Sequence, residues 1–283
     1  MKTTLIIAVY NHSEFLRRCL LSTSAFDSSL HEIVVTDDGS SEDTLAVVKE
    51  SAALFNCRLT FVQQQDIGFR LARSKNNGIR HATGDYLIFI DQDLIFTRGY
   101  LPAFVNHRKR GQFVVSYPIR LTEEQSSKLD EATIKNANFD ALTTPAQRTK
   151  IKRQYIKDNW EHYVRKFFRT DGTKPKLRGG CFAAFRDDLL MVNGFDENFQ
   201  GWGNEDDDLG RRLYRAGIVG KNVFWNEYPL HIYHPENSDG GARPNRDYNR
   251  MRIQAIKNGE FRALNGVENT LGDDKAKVIS IQN

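Results

Sequence analysis

The chain has 283 residues, 40% of them hydrophobic and 27% charged, with a formal charge of +4. That is room for about two domains of ~150 residues or one long α/β unit, and the balance excludes disorder as the default state. Cys19, Cys57 and Cys181 are odd in number, widely spaced and outside any CxxC pair. This argues against a disulfide framework or a thiolate zinc site and fits a reducing compartment. No apolar run approaches the ~20 residues needed to span a bilayer, and Met1-Lys2 leads into a strand-like run instead of a signal peptide. The expectation is a cytoplasmic protein, neither secreted nor integral to a membrane.

In chain order, Thr3–Val9 is apolar throughout and has a strand's length. Ser13 is placed as the cap of a helical stretch carrying Phe15, Leu16, Cys19 and Leu20. Glu32–Thr36 reads as a second strand, and Ser41 opens a helix with Leu45, Val48, Ala52 and Phe55. Arg58–Val62 reads as a third strand, followed by a helical segment to about Ala82, and Tyr86–Ile90 as a fourth. Strands apolar on both faces and separated by helices predict a parallel sheet covered on both sides. Beyond Gly99 the alternation fades. Phe113–Tyr117 reads as a strand, and Leu121–Arg148 is polar, turn-rich and takes no assignment. Gln147–Arg169 reads as a helix, Lys176–Arg186 as a strand, Asp206–Ala216 as a helix and Val223–Trp225 as a short strand.

In an open parallel sheet, ligands bind outside the carboxyl ends of the strands. The four predicted strands run into Tyr10-Asn11-His12, Asp37-Asp38-Gly39-Ser40, Gln65-Asp66-Ile67-Gly68 and Asp91-Gln92-Asp93. All four ends are polar and three carry carboxylates, which points to a polar ligand with a bound cation. Along an extended backbone, Asp91 and Asp93 aim at one point. Two carboxylates there suit Mg²⁺ or Mn²⁺, with substrate phosphates completing the shell. Taken alone, such a tripeptide reads first as two solvated aspartates in a turn; its place at a strand end is what favours a metal site.

Ile7-Ala8-Val9-Tyr10-Asn11, Asp37-Asp38-Gly39-Ser40 and Asp91-Gln92-Asp93, in this order and spacing, resemble the nucleotide-sugar half of family 2 glycosyltransferases with the GT-A fold. Ser74-Lys75-Asn76-Asn77-Gly78-Ile79 resembles that family's Arg-Asn-x-Gly, with Lys75 keeping the charge but losing arginine's planar fork. Gly201-Trp202-Gly203-Asn204-Glu205-Asp206-Asp207-Asp208 is similar to the acceptor-side motif of β-1,4-galactosyltransferases and bacterial chondroitin-type polymerases. The resemblance runs from about Thr3 to Arg246 and is weakest from Leu121 to Leu177. It implies an α/β GT-A unit, a mostly parallel sheet flanked by helices with an elaborated C-terminal half. Residues 1–115 would form the nucleotide-sugar half, 116–175 a helical or irregular insert, and 176–283 the acceptor-binding and catalytic half.

The resemblance also implies roles. Ala8 and Tyr10 would line the nucleobase pocket, Asp38 would bind the uridine, and Asp66 would contact the base or ribose. Lys75 would serve the diphosphate region, Asp91 would hydrogen-bond the ribose or donor sugar, and Asp93 would ligate Mn²⁺ or Mg²⁺. A histidine of the C-terminal half would complete the metal site, with His234 the nearest match and His231 the runner-up. Neutral imidazole suits Mn²⁺ beside carboxylates, although a lone histidine near a strand also reads as structural or exposed. In the run Glu205–Asp208, acids at a helix start favour the exposed N–H groups by about 0.3–1 kcal/mol each. Four adjacent acids also repel one another and raise at least one pKa, as a general base requires. By resemblance Asp206 is that base, with Glu205 the alternative and a partner for the acceptor. Trp202 either stacks on an acceptor sugar, with Asn204 beside it, or packs in the core. Its neighbours Gly201 and Gly203 favour a mobile or closely approached loop.

The expected reaction is a single inverting displacement. An acceptor hydroxyl, deprotonated by Asp206, attacks the anomeric carbon of a UDP-sugar, while a metal at Asp93 neutralises the leaving UDP; no carboxylate nucleophile is needed. The acceptor is expected to be a glycan or lipid-linked glycan of bacterial-type surface polysaccharide synthesis. The sugar stays open among galactose, glucose and their N-acetylamino forms, since selection rests on a few pocket contacts.

Gln147–Arg169 holds eight Lys/Arg against two acids, a net +6, with Tyr155, Trp160, Tyr163, Phe167 and Phe168 at helical spacing. One reading is a solvated helix packed on the sheet. The other is a helix on anionic lipid at the inner face of a membrane, gaining about 1 kcal/mol per basic residue. Nucleic acid is not expected, because no groove-reading module is present. Two rival functions stand beside transfer. A sugar-phosphate nucleotidyltransferase needs a glycine-rich phosphate loop after its first strand, which Tyr10-Asn11-His12-Ser13 is not. A non-catalytic sugar- or nucleotide-binding partner of an assembly complex leaves Asp91, Asp93 and Asp206 without a purpose.

Overall fold

The structure is a computed structural model that describes residues 1–26, 29–168, 173–235 and 244–281. It begins with β1 (Thr3–Val9), α1 (Ser13–Ser24), β2 (Glu32–Asp37), α2 (Thr44–Ser51), β3 (Arg58–Gln63), α3 (Leu71–His81) and β4 (Tyr86–Asp91), the predicted alternation. There follow β5 (Leu94–Phe96), α4 (Tyr100–Asn106), β6 (Gln112–Val115) and β7 (Ile119–Arg120). The stretch that takes no assignment from sequence contains α5 (Glu123–Ser127), α6 (Glu131–Asn136) and the start of α7 (Pro145–Phe168). The chain continues through β8 (Cys181–Phe185), α8 (Arg186–Met191), α9 (Glu205–Arg215) and β9 (Val219–Asn222). It ends with β10 (Pro229–His231), α10 (Arg246–Lys257) and β11 (Lys277–Ile281).

Eight strands form one sheet in the order β11-β3-β2-β1-β4-β8-β6-β9. Strands β3, β2, β1 and β4 run parallel, β8 enters antiparallel between β4 and β6, and β11 lies antiparallel on β3. The apolar runs are continuous because both faces are covered. On one face Leu5, Ile7, Val9, Ile88 and Ile90 pack with Leu16 and Leu20 of α1 and Val47 of α2. On the other, Ile6, Leu87 and Phe89 pack with Ile79 of α3 and Leu209 and Leu213 of α9. A second sheet, ordered β5-β10-β7, sits over a separate core of Ile95, Ile119, Leu230, Ile134, Phe139 and Ile151.

Several local expectations are corrected. The cap position of α1 belongs to His12, at φ 51°, and not to Ser13. The Glu42 carboxylate accepts from the His12 and Ser13 amides at 3.0 and 2.7 Å, so a side chain from the next loop satisfies that helix end. Helix α2 opens at Thr44 after Asp43, which accepts from the Ala46 amide, and not at Ser41. The strand expected over Lys176–Arg186 is confined to Cys181–Phe185: Gly179-Gly180 form a turn before it and Arg186 starts α8. Val223–Trp225 is not a strand, because the segment that pairs with β6 is Val219–Asn222. Of the helix expected to Arg169, Phe168 is the last described residue, and Arg169 lies outside the described residues. The three cysteines form no disulfide. Among the described residues no helix is long and apolar enough to cross a membrane.

Candidate active site at the carboxyl rim of the sheet

Strand β4 ends at Asp91, and the chain turns through Gln92-Asp93 into β5. Antiparallel pairing of β10 with β5 sets His231 opposite Leu94, and the Ile232 amide donates to the Asp93 carbonyl at 2.9 Å. This register brings two histidines to one aspartate: His231 Nε2 lies 3.0 Å and His234 Nε2 3.2 Å from Asp93 Oδ2. The three ligand atoms lie within 4.8 Å of one another. Asp93 Oδ1 is buried with no hydrogen-bond partner among the described residues. Burial acts to raise the Asp93 carboxyl, but the hydrogen bonds from His231 and His234 outweigh it and hold the group well below the usual carboxylate range. The same contact raises His234. Two imidazole nitrogens and a carboxylate with an unpaired oxygen fit a borderline divalent ion, Mn²⁺ better than Mg²⁺.

Asp91 is not a member of this cluster. The turn at Gln92 ends the extended backbone, so the two aspartates face different partners and the expected convergence of two carboxylates is corrected. His231 joins His234 instead of replacing it.

Asp91 faces Lys75, whose Nζ lies 3.2 Å from Oδ1. Lys75 is only 1% exposed and also donates to the Gly179 carbonyl at 2.9 Å. It therefore sits beneath Asp91 and not out on the rim. Burial pushes the Asp91 carboxyl up, against the pull of Lys75. The Gly179 amide donates to Asp206 Oδ2 at 3.2 Å. A Cβ at Gly180 would run into Asp91 Oδ2, and one at Gly179 would lie 3.1 Å from Asp206 Cβ and 3.3 Å from Lys75 Nζ. This glycine pair lets the end of β4 and the start of α9 meet across one turn. Sequence reasoning missed it; its signal is two adjacent glycines directly before an apolar strand.

The four acids that open α9 have four different surroundings. Asp206 accepts from the Gly179 amide and, at 2.7 Å, from the Asp207 amide. Asp207 pairs with Lys176 at 3.2 Å and Arg211 at 3.6 Å. Asp208 is fully buried, 2.6 Å from Arg212 and 3.7 Å from Arg252. Glu205 is buried, and its Oε2 has no hydrogen-bond partner among the described residues. Burial first, and the neighbouring Asp206 charge second, push its carboxyl up to about 7. Asn204 precedes them at φ 78° and makes no side-chain cap.

Trp202 is 72% exposed, which removes the core-packing alternative. It stands between Gly201 at φ 77° and Gly203 at φ 96°, a conformation that favours glycine. The loop is tied at both ends, by Gly201 N–H to the Phe69 carbonyl and by Asn245 Nδ2 to the Gly203 carbonyl, each 2.9 Å.

Across the rim, Ala8 is buried opposite Asp91 in the β1–β4 register, and Tyr10 beyond it is exposed. Asp38 is buried and accepts from the Arg70 amide at 2.8 Å and from Gln64 Nε2. Burial pushes its carboxyl up to about 6. Asp37 serves the loop itself, accepting from the Gly39 and Ser40 amides at 2.8 and 2.7 Å. Gly39, at φ 88°, rests on Asp66, whose backbone nitrogen a Cβ would strike; the Asp66 side chain is exposed. Arg70 is latched to Asp274 at 3.2 Å, and Arg73 donates to the Leu271 and Asp274 carbonyls.

The family model for glycosyl transferase family 2 matches residues 4–192. The chain belongs to this family. A second model, the N-terminal domain of galactosyltransferase, matches residues 162–235, the segment that carries Gly179 through His234. This family 2 glycosyltransferase is 26% identical to the chondroitin synthase of Escherichia coli over 234 residues, 78% of the chain and 33% of that protein. It thus spans about a third of that relative's length. Staphylococcus aureus TarS, solved with UDP-GlcNAc, matches with a TM-score of 0.61 at 15% identity, over 95% of this chain and 69% of that one. A mannosyltransferase of Pyrobaculum calidifontis, solved with GDP-Man and Mn²⁺, matches at 0.57 and 18%, over 90% and 64%. The fold is GT-A.

Proposed function

We propose that this glycosyltransferase moves a hexose or N-acetylhexosamine from a UDP-sugar to a hydroxyl of a glycan or lipid-linked glycan, with inversion, on the cytoplasmic side of surface polysaccharide synthesis. One observation carries the reading. The strand end that bears Asp91 and Asp93 meets the helix start that bears Glu205 and Asp206 across Gly179-Gly180.

In this reading Ala8, Tyr10, Asp38 and Asp66 surround the nucleoside. Asp91, oriented from below by Lys75, accepts hydrogen bonds from the ribose or donor sugar. Asp93, His231 and His234 would hold a divalent ion, whose chemistry there would be to neutralise charge on a diphosphate leaving group. The acceptor ring lies on the exposed face of Trp202 beside Asn204. Its hydroxyl gives a proton to the acid pair at the start of α9 and attacks the anomeric carbon. The bond to UDP breaks on the opposite face as the new glycosidic bond forms, which inverts that centre.

Family resemblance points to Asp206 as the base. A specific observation favours Glu205 as a second reading: its oxygen is unpartnered and burial pushes its carboxyl up to about 7, whereas each Asp206 oxygen already accepts a backbone N–H.

UDP release from a panel of UDP-sugars with Mn²⁺, with GDP-mannose as the contrasting donor, tests the proposal. Loss of a general base is expected to lower kcat by about 10²–10⁴, so Glu205→Gln and Asp206→Asn separate the two readings. Asp93→Ala is expected to abolish dependence on Mn²⁺. Equal turnover by the wild type and all three variants overturns the assignment.

A further inference from the structure

Helix α7 has two faces with different fates. Inward, Ile151 is buried in the core under the small sheet. Asp158 is buried and accepts from Gln154 Nε2 and Asn222 Nδ2, both at 2.8 Å, while Asn159 Nδ2 reaches the Asn222 carbonyl at 3.1 Å. These contacts seat the helix on β9. Outward, in steps of three and four, lie Arg153, Ile156, Lys157, Trp160, Tyr163 and Phe167. Trp160 is 70% exposed, Tyr163 60% and Phe167 81%. Packing on the sheet accounts for the inner face and leaves this line of aromatics in water, an arrangement that marks an interaction surface.

Charge selects the occupant. Lys150, Arg153 and Lys157 are all exposed along the stripe, and the Lys221 ammonium lies 5.3 Å from the Tyr163 ring. The acids of the same stretch are engaged elsewhere, Asp158 inward and Glu161 with Lys174 at 3.6 Å. A second copy meeting this face around a two-fold axis would set these cations against themselves. An anionic phospholipid surface answers both features, taking the cations at its phosphates and Trp and Tyr rings at headgroup depth.

We infer that the outer face of α7 docks the enzyme on anionic phospholipid. The same helix reaches towards the site: the Asp158 charge bears on Tyr117, and the guanidinium of Arg178, the residue before Gly179, lies 5.7 Å from the Tyr117 ring. Docking itself does not depend on the transferase reading; its use, keeping the enzyme where a lipid-linked acceptor resides, does.

Flotation of the full chain with vesicles of phosphatidylglycerol and phosphatidylcholine, against phosphatidylcholine alone, tests the inference. The wild type is expected to float with anionic vesicles at low salt, to be released at high salt and to ignore neutral vesicles. Arg153→Gln and Lys157→Gln are each expected to weaken binding about fivefold, and Trp160→Ser with Phe167→Ser to abolish it. None of these exposed substitutions is expected to change the Tm or UDP release in detergent-free buffer. Three results overturn docking: no flotation with anionic vesicles at low salt, equal flotation with neutral ones, or a solution dimer that Trp160→Ser dissociates. An enzyme that releases UDP but never floats sinks docking alone; one that floats but never turns over sinks the transferase reading alone.

Discussion

Glu205 shows how one side chain ties stability to chemistry. Its carboxyl is raised from 4.5 to about 7, so the folded chain holds that proton more tightly than the unfolded chain does. The stability this contributes is complete below about 4.5 and is lost as pH rises through about 7. Glu205→Gln is therefore expected to gain about 1–3 kcal/mol above neutrality, read by thermal denaturation, while turnover falls. On the reading that makes Glu205 the base, kcat/KM of the wild type is expected to rise with pH through about 7 as that carboxyl gives up its proton. Residues of this kind were partly legible in the sequence. Asp93 was singled out by its strand end and His234 by family resemblance, and the structure sets the two 3.2 Å apart. The split between Asp91 and Asp93 does not, because the two-residue period holds only while the backbone stays extended, and the Gln92 turn leaves no side-chain signature. Gly179 and Gly180 matter through the Cβ atoms they lack, which counts only against neighbours distant in sequence.

At the level of elements, α9 and the loop before α3 are each held by largely buried ion pairs close behind the site. Asp208 and Arg212 are both fully buried at 2.6 Å, with Arg252 of α10 nearby. Asp208→Asn leaves the buried Arg212 without its counter-charge, while Arg252 keeps Asp196 at 3.4 Å, and is expected to cost about 3–5 kcal/mol by urea unfolding. The Arg70–Asp274 latch acts differently, because the Arg70 amide also holds Asp38. Asp274→Asn is expected to raise KM for the sugar nucleotide several-fold with little change in kcat, as steady-state kinetics would register. The strands from β1 to β4 were readable from their apolar runs and agree with expectation to within a residue, whereas the twelve-residue α10, with only Arg252 and Ile256 buried, took no assignment. Helices α5 and α6 took none either, being five and six residues long, too short for any period to repeat. Their caps at Thr122 and Asp130 are ordinary capping residues that also occur in loops.

For the molecule as a whole, the rim of the sheet gathers residues from widely separated parts of the chain. The polar strand ends made that convergence legible; the order β4-β8-β6-β9 was not, since an antiparallel strand inserted from a distance has no local mark. Because the Asp93–His231–His234 cluster lies at this rim and not in either core, chelation is expected to abolish transfer while leaving the Tm nearly unchanged. Mn²⁺ affinity is expected to weaken as pH falls through the range in which His234, raised by Asp93, takes up its proton; calorimetric titration of the metal at two pH values checks both the site and the sign.

One edge of the large sheet is closed by β11, five residues that pair with Arg58–Gln63 from Leu59 to Gln63. Beneath this ribbon lies an unbroken row of backbone donors and acceptors in a strand with Leu59, Phe61 and Val62 buried. Ending the chain before Lys277 is expected to turn that row into a template for other extended chains, giving self-association that light scattering detects. Colloidal behaviour of the enzyme is thereby expected to rest on a short selvedge remote from its chemistry.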